Sequence, residues 1–365
     1  MDAARTRRWF LFALPAAGFA AELPGKGRIL SSVARRYADP ATEFPVTRLT
    51  DPAHNGFLPA PYNRAVARRS NFLLYSTDAT GHMEAFRLDL KNGQSRQLTE
   101  SVELDPASLT LVGDGTFYYV DGNRVLSAPL SHLRPREVYR IPEGFDPGTG
   151  FSVAEDGQYA AIVEKKGAHH RIQLIHTASG EATTLAEADE ELRDPIPRPR
   201  RASVLYRRAG GVWLVNHDGA QNYRLKLADG ETGPAEWSPD GRSVIYLNYP
   251  ADPHQLHNLR EFVPDTNEEK QIANTSQFVQ FGMNADGSVF VGASGSKASP
   301  DVLLLVRSVR RELTLAEHRA KNASLVAPIF APNSQRIFFQ SDRDGKPAIY
   351  TMSVEKFVEE TDGGR

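Results

Sequence analysis

The chain has 365 residues, 40% hydrophobic and 24% charged, which is globular composition with ample material for a large core. A net charge of −2 gives no bulk field for nucleic acid or an anionic membrane, so neither is an expected partner. The absence of cysteine excludes disulfides, thiolate metal sites and cysteine nucleophiles together.

In chain order, the first element is an export signal over residues 1–21. Arg5, Arg7 and Arg8 precede an apolar run from Trp9 to Ala21, too short to span a bilayer. Thr6-Arg7-Arg8-Trp9-Phe10-Leu11 matches the twin-arginine variant of such signals. The expected location of the mature protein is periplasmic or secreted, and no later segment is long and apolar enough to cross a membrane. FPVTRLTD (44–51) reads as a strand without the companions a sheet needs. AVARRSNFLLYSTDATGHMEAFRLDL (65–90) and SRQLTES (95–101) follow as strands separated by turn residues.

From there one plan recurs: a short strand, an Asp-Gly turn, a β-rich strand and further strands. It appears at LTLVGDGTFYYVDG (109–122), FSVAEDGQYAAIVEKK (151–166), EWSPDGRSVIYLNY (236–249) and QFGMNADGSVFVGAS (280–294). A weaker copy at IFAPNSQRIFFQSDRDG (329–345) has Asn333-Ser334 in place of Asp-Gly. The turn glycines at 115, 157, 241 and 287 are 42, 84 and 46 residues apart. The double gap requires a degenerate copy, which IPRPRRASVLYRRAGGVWLVNHDG (196–219) supplies. Seven copies at this period predict an all-β, seven-bladed propeller over residues 44–354 as a single domain. The last copy ends one strand short at AIYTMSV (348–354), before a charged tail over 355–365. The unpaired strand at 44–51 completes it, closing the ring and removing both open edges.

The Trp-Ser-Pro-Asp-Gly unit (237–241) loosely resembles the repeats of the Tol-associated periplasmic propeller. A tighter likeness runs from VTRLT (46–50) to SDRDGKPAIYTMSV (341–354), through VWLVNHDGAQNYRL and EWSPDGRSVIYLNYP. Along that span the chain resembles the oligogalacturonide lyase family. The resemblance implies β-elimination of galacturonate oligomers on a seven-bladed propeller with a divalent metal, manganese by preference. It also implies a histidine base in a His-Glu-x-Trp motif before Ser-Pro-Asp-Gly, an arginine preceding the Trp-Leu-Val-Asn segment, a histidine ligand at the start of the sixth blade, and a glutamine followed by a His-Pro-His-Pro run leading into the seventh.

At those positions this chain differs. The family base position is Pro234, and proline neither takes nor gives a proton. The family arginine position is Gly211, and the ligand positions are Gln280, Asn322, Leu325 and Ala327. Two carboxamides without imidazole or carboxylate make a poor divalent site, so manganese is expected only if the family mechanism is retained. The remaining candidates for gripping an acidic sugar are Arg64, His169, His170, Arg207 and Arg208, since guanidinium pairs with carboxylate in bidentate fashion. His254 and His257 form a weak alternative metal pair. Trp213 and Trp237 read as blade packing.

Three readings follow. In the first, an exported relative of these lyases binds an acidic oligosaccharide, or acts on it by altered chemistry. In the second, it is an active lyase with relocated groups, His54, His169 or His254. In the third, it is a Tol-like scaffold with a protein partner.

Overall fold

The computed structural model describes residues 25–361 except Pro253. The expected signal at 1–21 lies outside the described residues. So does the end of the expected tail, residues 362–365. Seven antiparallel sheets follow one another along the chain and form a seven-bladed β-propeller. The fifth shows the plan: Glu231–Trp237 innermost, then Val244–Tyr249, Asn258–Val263 and Glu268–Asn274 outward. Strict alternation gives way to runs such as the fully buried FLLYST of Phe72–Thr77, because both faces of a blade's middle strands are covered by neighbouring blades.

Burial is organised by blade pairs. Seven apolar clusters each join one blade to the next. Phe262, Trp237 and Leu214 join the fourth and fifth, while Phe338, Ile349, Phe86 and Leu88 join the seventh to the first. No blade completes a core alone, so stability is shared around the circle.

Closure occurs as the sequence predicts. Pro45–Arg48 pairs antiparallel with Ala348–Ser353 through Thr47 opposite Thr351 and Arg48 opposite Tyr350. Val46 is fully buried in the cluster between the last two blades. Two edge strands add to this. Arg35–Ala38 extends the seventh blade outward, and Ile29–Leu30 extends the first. The beginning of the tail folds back, with Val358 buried and the Phe357 ring 5.4 Å from that of Phe44.

The turn joining first and second strands has one residue in the left-handed region in every blade. These are Ser70, Gly113, Gly157, Arg200, Gly241, Gly287 and Ser334. In the second blade the residue is Gly113 rather than Gly115, because the turn there closes two residues earlier. In the fourth blade Arg200, at φ 60°, takes the place of glycine.

Candidate functional site

Four inner strands lose register where they start. The bulges lie between Pro147 and Phe151, Arg193 and Ile196, Thr232 and Ala235, and Phe278 and Gln280. A bulge turns side chains away from the ladder, and here the turned residues face the axis. Asp194, Gly233, Pro234 and Val279 all line one cavity of about 350 Å³ at this end of the channel. That volume lies in the usual range for small-ligand sites, roughly 300–1,000 Å³. Proline fits the bulge because no ladder hydrogen bond is needed there.

The axis is blocked partway by a segment that leaves the first blade. After Gly56–Phe57, residues 58–64 cross toward the opposite blades. Asn63 donates to the Ala107 and Phe151 carbonyls at 3.0 and 2.9 Å, and the Tyr62 hydroxyl donates to Asp194 Oδ1 at 3.2 Å. Tyr62 also packs against the cluster between the fourth and fifth blades. A second cavity of about 390 Å³ lies beyond it, lined by the first-to-second-strand turns, and shares Pro61, Tyr62 and Glu236 with the first. Burial pushes the Tyr62 phenol well above its ordinary range and raises the Asp194 carboxyl.

Charge in the first cavity comes from the fourth blade. Arg193 and Arg207 stand directly opposite each other on adjacent strands, so both project from one face. Arg207 donates from Nη1 to the Gly233 carbonyl and from Nη2 to the Thr232 carbonyl at 2.6 Å, which ties it to the fifth blade's bulge. Its Nε has no partner, and burial lowers its affinity for a proton. Arg193 makes no ion pair or side-chain hydrogen bond among the described residues. Two like charges facing each other on one sheet face repel, and the carboxyls of Asp194 and Glu231 in the same cavity offset part of that repulsion.

Glu236 borders both cavities. It has no hydrogen-bond or ion-pair partner among the described residues, and burial alone pushes its carboxyl up to about 8. Tyr249 forms the far wall, with its hydroxyl 3.4 Å from the Val279 carbonyl and its ring 4.3 Å from that of His257.

The residues expected from sequence are dispersed. Pro234, Gln280 and Arg207 line the first cavity. Arg64 lies at the other end of the channel, in the second cavity, 3.2 Å from Asp114, because the crossing segment carries it through the ring. Arg208 points away from Arg207, as strand alternation requires; it pairs with Glu190 at 2.5 Å and covers Trp213. His169 contacts Asp189 at 3.0 Å, and His170 Nδ1 lies 2.9 Å from the Ala168 carbonyl, both at the hairpin joining the third blade's second and third strands. His54 is exposed, 3.6 Å from Asp78. His254 is exposed while His257 is stacked on Tyr249 with Nδ1 at the Phe278 carbonyl, so the two do not converge. Trp237 is buried and donates to the Ile196 carbonyl at 3.1 Å, a packing role.

The positions corresponding to the family's metal ligands do not fit manganese. Gln280 faces the cavity, but Asn322 Oδ1 accepts the Ser324 amide in capping a short turn, Leu325 is 59% exposed and Ala327 has no donor. Two carboxamides, one already engaged, leave a hard cation without charge neutralisation. Among the described residues no three histidine, aspartate or glutamate side chains gather around a common point. At Gly211 the Arg224 side chain occupies the space, and a Cβ would come 2.6 Å from its Nε. Sequence reasoning missed Tyr62, Arg193, Asp194 and Glu236. The Pro-Ala-Glu-Trp stretch at 234–237 contained no sign that its glutamate would face the axis.

No family model matches the chain. A curated oligogalacturonide lyase of Pectobacterium atrosepticum is 26% identical over 91% of this chain and 99% of its own length. An oligogalacturonate lyase of Dickeya dadantii is likewise 26% identical, over 91% and 99%. A solved oligogalacturonate lyase in complex with manganese superposes with a TM-score of 0.84 at 22% identity, covering 90% of this chain and 98% of that one.

Proposed function

Because the chain resembles the oligogalacturonate lyases in sequence over 91% of its length and shares their fold, we propose that its axial cavity binds a short acidic oligosaccharide of the galacturonide type. The observation that carries this reading is the facing pair Arg193 and Arg207 in that cavity. A uronate carboxylate placed between them relieves their repulsion, and a guanidinium plane matches it in geometry. In this reading arginine supplies the charge neutralisation. Export to the periplasm or beyond belongs to the same proposal and rests on the leader-like residues 1–21.

The test is calorimetric titration of the full chain with digalacturonate in the presence of a chelator. Arg193→Ala should weaken binding about tenfold or more, the worth of one charge-assisted pair. A neutral galactose disaccharide should not compete. Equal affinity for the neutral sugar, or unchanged affinity in Arg193→Ala, would sink the reading.

A further inference from the structure

Glu236 is a titratable group of the axial cavity that carbohydrate binding does not use. Glu236 follows Pro234 by two residues on the inner strand of the fifth blade, past the bulge, and borders the cavity from below. Resting on the binding proposal above, we infer that Glu236 is the proton-abstracting group of this cavity, and that the pocket cleaves the uronide it holds by β-elimination with no divalent metal.

The geometry separates two tasks. On the first-cavity side the charged or titratable groups are Tyr62, Arg193, Asp194, Arg207, Glu231 and Tyr249. On the other side they are Arg64, Arg68, Glu155 and Arg200. Burial causes the elevation of Glu236, and of these groups Tyr62 is near enough to feel its charge. No hydrogen bond or ion pair joins Glu236 to either arginine among the described residues, although all three line the same cavity. Elimination needs such spacing, since the proton to be removed is on the ring carbon next to the gripped carboxylate. A carboxylate that stays partly protonated near neutrality is also a stronger base than an exposed one once it ionises.

The step balances as follows. The Glu236 carboxylate takes the proton from C5. The electron pair of that C–H bond becomes the C4–C5 double bond, and the C4–O glycosidic bond breaks with its pair on oxygen. The departing oxygen takes a proton from water, which the second cavity admits to the underside of Glu236. Arg193 and Arg207 hold the uronate while negative charge builds on it.

The experiment incubates the chelator-treated full chain with digalacturonate across pH 6 to 9.5, separates the products by chromatography and measures affinity in parallel. The expected products are galacturonate and a 4,5-unsaturated uronate, with a rate that climbs with pH and has its midpoint near 8. Glu236→Gln should slow turnover by about a hundredfold or more, with affinity for digalacturonate kept within about threefold, as expected of a group that moves a proton but does not grip the carboxylate. Binding without turnover by the wild type overturns this inference and leaves the binding reading intact. So does full activity in Glu236→Gln, or activity that the chelator abolishes. Absence of binding by the wild type overturns both. The wild-type pH profile tests the same point without any substitution: a midpoint near 6.5, the ordinary histidine value, also overturns it.

Discussion

Glu236 ties function to stability through one ionisation. Its carboxyl titrates near 4.5 when exposed and about 8 when folded, so the fold favours the protonated form. The stabilisation associated with that proton is complete below about 4.5 and is lost as the pH rises through 8. Urea unfolding should therefore show Glu236→Gln equal to wild type at pH 4 and more stable at pH 9, by a few kcal/mol at most because the side chain faces a channel that water can enter. A flat difference across that range would mean the carboxyl has found a partner. The resemblance placed the family's base position at Pro234, and that residue does line the axial cavity. Glu236 lies two residues away and was not readable. Whether a side chain next to a bulge faces the axis or the blade depends on register, which Gly233-Pro234 can mark as interrupted but cannot specify. Arg193 was missed for the same reason: its partner across the strand pair, Arg207, is 14 residues away in the chain.

The blades repeat a turn rather than a residue. Where that turn contains Asp-Gly, the sequence displays it; where the left-handed position falls to Ser70, Arg200 or Ser334, strand geometry imposes the conformation on residues that resist it. Two substitutions separate the cases. Arg200→Gly should stabilise by up to about 1 kcal/mol, the strain relieved less the added freedom of the unfolded chain. Gly241→Ala should cost about 1–3 kcal/mol, because its φ is 69° and a Cβ there runs into the Pro199 carbonyl oxygen. Denaturant midpoints at constant slope give both values. The degenerate fourth copy was located by spacing alone, and the structure explains its degeneracy. Arg198, in that turn, is buried against the Trp237 ring and held by the Gly241 carbonyl and Asp265, an anchor between blades that glycine and aspartate could not supply.

At the scale of the whole molecule, the ring is held by a single strand pair of long separation. Val46→Asp places an unpaired charge inside the cluster that seals the seventh blade to the sixth, and should cost about 3 kcal/mol or more. Urea unfolding read with gel filtration checks it, the expected result being lower stability together with self-association through the exposed edge. The blade count and the closing strand were legible because a fixed period and an orphan strand leave few arrangements. The two extra strands, Ile29–Leu30 and Arg35–Ala38, were not, since they attach at outer edges with mostly exposed residues and so show no apolar alternation. The strand at 45–48 waits about three hundred residues for its mate. During synthesis, then, six blades can stack while the circle gapes, and only the arrival of the final hairpin latches it. A copy cut short anywhere before that hairpin keeps two sticky borders, so the same joint that gives the finished molecule its durability exposes every unfinished one.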